Sequence, residues 1–118
     1  MTRAVRVFQI TRRCICVRVR VLPTVADVDR AFRGGKARRE RGQVHGFLAD
    51  TRAGVSKRLR VTLPLRGWTP GLVAHEMVHV ADRFGLRDIA DDEPMANAVE
   101  ELVDSICTRM AKLEAKCA

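Results

Sequence analysis

Two histidines stand four residues apart with a glutamate directly after the first, in the run His75-Glu76-Met77-Val78-His79. On an α-helix, residues four apart share a face about one turn, roughly 6 Å, from each other. Two imidazoles so placed can meet one Zn²⁺ at about 2.0 to 2.1 Å, and the neighbouring carboxylate can serve a zinc-bound water as general base. With 3 His and 6 Glu in 118 residues, shuffling the sequence produces this pattern only about three times in a thousand, so chance explains it poorly.

That chemistry needs a helix, and the flanking residues supply one. Thr69 is a good N-cap, Pro70 a good first helical residue, and Gly85 after Phe84 a good stop, which predicts a helix over 70–84. Val73, Met77, Val80 and Phe84 repeat at helical spacing as its core stripe. A catalytic zinc site keeps three protein ligands and leaves a fourth position for water, so one more His, Asp or Glu is required. A second, longer helix begins at Asp91 or Asp92 with Pro94. Its apolar positions Met95, Val99, Leu102, Ile106, Met110 and Leu113 continue to the end of the chain. Along it Glu93, Asn97, Glu100 and Asp104 are spaced by four, three and four residues and stack into one polar stripe, either a ligand face or a solvated flank. Asp82, three residues after His79, is placed either to orient a ligand imidazole or to sit solvated at the helix end.

The preceding residues read as sheet. Alternation of Ile15, Val17, Val19 and Val21 with Arg18 and Arg20 predicts a half-buried strand, and Val5 to Ile10 is a candidate before it. Pro23-Thr24 opens a short helix through Val25, Val28, Ala31 and Phe32 that Gly34-Gly35 stops, and Lys36 to Gly42 is a basic loop. Val44 to Ala49 and Leu59 to Leu63, separated by the turn-like run 50–54, predict an antiparallel pair. His45, on the first of these, is either a partly exposed strand histidine or a group facing substrate or oxyanion. Strands first and helices last argue for a single α+β domain spanning 1–118, a basic sheet-rich half (1–66) followed by a helical metal-site half (67–118).

The net charge of +8 is unevenly spread. Residues 1–70 hold 17 Lys+Arg against 4 Asp+Glu, a balance of +13, and residues 71–118 hold 5 against 10, a balance of −5. The basic half predicts weak, sequence-independent contact with nucleic acid or a merely solvated arginine face. No apolar run reaches the roughly 18 residues of a membrane span and no export signal opens the chain, so no membrane partner is expected. With that, the four cysteines (Cys14, Cys16, Cys107, Cys117) read as free thiols in a cytoplasmic, reducing setting.

The His-Glu-x-x-His helix followed by Glu93-Pro94-Met95-Ala96-Asn97 resembles the Glu-zincin (gluzincin) metallopeptidases, in particular the Glu-x-x-Ala-(Asp/Asn) second signature of HtpX-type and related families. The short spacing is also similar to small zincin-like peptidases of phages and mobile elements. The resemblance covers roughly residues 69–104. It implies a minimal zincin-like domain with a small antiparallel or mixed sheet of three to four strands, one zinc ion per chain, and hydrolysis of a peptide or protein substrate. It makes His75, His79 and Glu93 the ligands, Glu76 the general base, and Asn97 the partner one turn after Glu93. Glu100 with Asp104 resembles the thermolysin-like Glu-x-x-x-Asp arrangement instead, so Glu100 stands as the alternative third ligand and Asp104 as its partner. The family's usual phenolic oxyanion stabiliser has no counterpart, since the chain lacks tyrosine. In such enzymes a strand near the active-site helix pairs with substrate, and either Val44 to Ala49 or Leu59 to Leu63 could be that edge. Two rival readings follow: an SprT-like protease working on proteins at nucleic acid, and a non-catalytic zinc-stabilised binding module.

Overall fold

A computed structural model describes residues 3–13, 15–31, 43–47, 58–83 and 93–117. The chain runs β1 (Arg6–Arg12), β2 (Ile15–Thr24), α1 (Val25–Ala31), β3 (Gln43–Phe47), β4 (Arg58–Arg66), α2 (Pro70–Arg83) and α3 (Glu93–Cys117). This is a small α+β fold with one mixed four-stranded sheet, in the order β1-β2-β4-β3. The β1–β2 and β3–β4 pairs are antiparallel, whereas the central strands β2 and β4 run parallel, with Val17 opposite Leu59, Val19 opposite Val61 and Val21 opposite Leu63. Parallel neighbours require a crossover, and α1 lies within it.

Alternation sorts the strands. Ile15, Val17, Val19 and Val21 of β2, Leu59, Val61 and Leu63 of β4 and Ile10 of β1 join one buried cluster with Leu72, Val73, Met77 and Val80 of α2 and Ala98, Leu102, Ile106, Met110 and Leu113 of α3. The α2 and α3 helices therefore cover one sheet face, α2 packing on α3 and over β3 and β4, α3 reaching β1 and β4. Strand residues of the opposite parity, Cys16, Leu22 and Thr62, are buried apart from that cluster, as is Val28 of α1, which packs on β2 and β4.

Local chemistry sets the element ends. Arg12 pairs with Ile15, leaving a two-residue hairpin link in which Arg13 takes φ of 50°, the positive region such links favour. The Arg13 Nε donates to Glu101 of α3 at 2.8 Å, tying the hairpin tip to the long helix, and this contact raises the guanidinium pKa. At the head of α1, Thr24 and Asp27 cap reciprocally: the Thr24 backbone N–H donates to Asp27 Oδ2 (3.1 Å) and the Asp27 N–H to Thr24 Oγ1 (3.2 Å).

Three sequence expectations change. The second strand runs on through Pro23 to Thr24. Met95 is only half-buried while Ala98, not counted in the apolar stripe, is fully buried. Both Val44–Ala49 and Leu59–Leu63 were candidate edges, but β4 is flanked by β2 and β3, which leaves β3 as the edge strand. Cys14, Phe32, the stop at Gly34-Gly35, the loop 36–42, the strand end Leu48-Ala49, the turn 50–54, Phe84, Gly85 and the start at 91–92 lie outside the described residues.

Candidate metal centre

Gly67 turns the chain from β4 toward α2 with φ of 110°, and a Cβ built there would stand 2.8 Å from Val25 Cγ2, so both backbone and space require glycine. Thr69 then caps α2 as its sequence predicts, its Oγ1 accepting from the Leu72 N–H at 3.0 Å and its carbonyl from the Val73 N–H at 3.1 Å. The helix is anchored by Leu72, Val73, Met77, Val80 and Ala81, all buried.

That anchoring decides where the chemistry faces. His75 and His79 are both exposed, and their Nε2 atoms are 3.3 Å apart, with ring centroids 5.0 Å apart and planes at 75°. Two nitrogens bound at 2.0 to 2.1 Å to one tetrahedral ion stand about 3.3 to 3.4 Å apart. The pair therefore matches one edge of a zinc tetrahedron, and the same separation suits an N–H···N hydrogen bond whose donor depends on the ring tautomers. Glu76 turns the other way. It is only 1% exposed, with both carboxylate oxygens out of solvent. Glutamate is rarely withdrawn so far unless a partner or a function holds it there. Sequence reasoning placed Glu76 beside the metal and missed this burial. The signal was present: Glu76 lies four residues after Leu72, three after Val73 and four before Val80, inside the apolar arc.

The remaining candidates are not gathered at the histidines. Glu93 opens α3, exposed; Asn97 is half-buried; Glu100 is exposed. Asp104 lines a shallow groove with Ile10 and Arg12 of β1, on the far side of the sheet from β3. Its carboxylate, together with burial as the larger cause, raises the Cys107 thiol pKa. Asp82 is exposed near the end of α2, and His45 lies on edge strand β3 in register with Arg60. Among the described residues, no group of three or more His, Cys, Asp or Glu side chains is placed to hold one metal ion. Cys16, Cys107 and Cys117 are free thiols, and no described helix is long and apolar enough to cross a membrane.

Comparison of the chain with protein-family models, with curated proteins and with solved structures finds no match.

Proposed function

We propose that this chain is a zinc-dependent metallopeptidase of the zincin type, with His75 and His79 as two ligands, Glu93 as the third and Glu76 as general base. The observation that carries the reading is the 3.3 Å between the two Nε2 atoms on a capped, core-anchored helix. When bound, zinc supplies a water of pKa near 7 and polarises a peptide carbonyl. The chain's own residues do the rest. The two imidazoles would hold the ion through Nε2. In this reading Glu76 takes a proton at its carboxylate and returns it to the leaving amine, which requires its side chain to swing from its buried position toward the histidines. The edge strand β3, over which α2 packs, offers backbone N–H and C=O groups for pairing with an extended peptide.

Elemental analysis of protein purified without chelator should find about one zinc per chain, and Glu76→Gln should keep that zinc while losing hydrolysis of a peptide library. Absence of zinc, with none taken up on titration, refutes the metal site. A wild type that holds zinc but cleaves nothing favours the non-catalytic binding module. Cleavage by Glu76→Gln at the wild-type rate removes Glu76 as the base and leaves the ligands standing.

A further inference from the structure

The seam between β1 and α3 lies at the sheet edge opposite β3, and it contains a groove of about 390 Å³. Its walls carry four cations, Arg6 from β1 and Arg109, Lys112 and Lys116 from α3, around Phe8 and Leu113. Among the described residues no carboxylate lines it. Three of the four cations come from residues 71–118, the stretch whose net charge is −5, so the groove is invisible to a count of charge by halves. On α3 they follow at spacings of three and four, which places them on one face.

We infer that this groove binds a single strand of nucleic acid through its phosphate backbone. From Arg109 to Lys116 the helix axis advances about 10 Å at 1.5 Å per residue, so the three helical cations form a row along which a strand's phosphate backbone can run. Arg6, from β1, lines the same groove. The Arg109 guanidinium lies over the Phe8 ring, 5.0 Å from its centroid. Arginine planes and aromatic rings are the surfaces on which unpaired bases stack, so charge for the backbone stands beside a platform for a base. This site uses no residue of α2, and its test needs no catalytic activity.

The test is fluorescence anisotropy with a labelled oligothymidylate of about 12 nucleotides at about 50 mM salt. The wild type should bind with a log–log salt slope of about −2.8, four contacts at roughly 0.7 each. Two charge-matched double variants locate the contact: K112E/K116E in the groove, and R18E/R60E on the central strands. Lys112 and Lys116 are both exposed. Each variant lowers the net charge by four. K112E/K116E should bind at least tenfold more weakly than R18E/R60E, with the slope reduced by about 1.4. Circular dichroism checks that both variants fold, and the charge-matched single reversals K112E and R18E replace the pair if either double variant does not. A difference under tenfold between the two variants overturns the assignment, because attraction is then set by overall charge. So does failure of the wild type to bind the oligonucleotide, displacement of the strand by equimolar inorganic phosphate, or tighter binding to acidic phospholipid vesicles.

Discussion

Replacing Met77 by alanine tests the orientation of α2 on which the reading of the site depends. Met77 is fully buried between His75 and His79 in sequence, whereas its neighbour Val78 is 42% exposed. Truncating a buried methionine costs about 2 to 5 kcal/mol, partly through the cavity left behind. For 118 residues, an unfolding entropy of about 2.1 cal/mol/K per residue gives about 0.25 kcal/mol/K, so each kcal/mol moves Tm by about 4 °C. Met77→Ala should lower Tm by about 8 to 20 °C, and Val78→Ala, on the solvent side, by about 2 °C or less. Zinc adds a second axis to the same melt. At a hundredfold excess over Kd, a ligand that binds only the folded chain stabilises by about 2.7 kcal/mol, or about 11 °C here. That rise should appear in the wild type and in Val78→Ala, and vanish in His75→Ala/His79→Ala. Thermal melts followed at 222 nm, with and without zinc, supply every number. Equal shifts for Met77→Ala and Val78→Ala would refute the packing, and with it the outward presentation of the histidines. A zinc-induced rise that survives loss of both histidines would place the metal elsewhere.

Three further outcomes are expected. Glu93→Gln should weaken zinc binding at least 10- to 100-fold in a chelator competition assay and Glu100→Gln less, the reverse ranking moving the ligand role to Glu100. Gly67→Ala should destabilise by about 1 to 3 kcal/mol in chemical denaturation, because the added methyl meets Val25 at a positive φ; an unchanged midpoint would contradict the turn geometry. Burial and Asp104 raise the Cys107 pKa, so at pH 8 Cys107 should alkylate more slowly than exposed Cys117 by peptide mass spectrometry. The sign for stability follows: Cys107 contributes fully below the ordinary thiol pKa, and that contribution declines as pH rises toward and through the raised value.

How much of this was legible before folding differs by element. Thr69-Pro70 is local chemistry, so the α2 start is read directly, and the same holds for the strand alternation that gave Ile15 to Val21 its buried parity. The antiparallel pairing of β3 with β4 also followed from local order. Parallel pairing of β2 with β4 did not, because strands far apart in sequence announce no partner through their own residues. Edge status was hidden for the same reason: Leu59 to Leu63 and Val44 to Ala49 look alike until β2 takes one side of β4. In the site, the histidine pair was legible from a spacing of four, since one helix positions both rings. The third ligand was not, because it depends on how α3 is placed against α2, which no periodicity encodes.

The central parallel pair has a kinetic consequence. The β1–β2 hairpin closes across two residues and can form within microseconds. The β4 strand meets β2 only after a connection from Thr24 to Arg58 has been looped back, and that loop closes before its contacts repay the lost entropy. Docking of β4 is thus expected to limit the folding rate, and α2 begins only four residues beyond it. The histidine-bearing helix gains its underlying sheet surface only once this step is complete, so the outward presentation of His75 and His79 is among the last features a folding chain acquires.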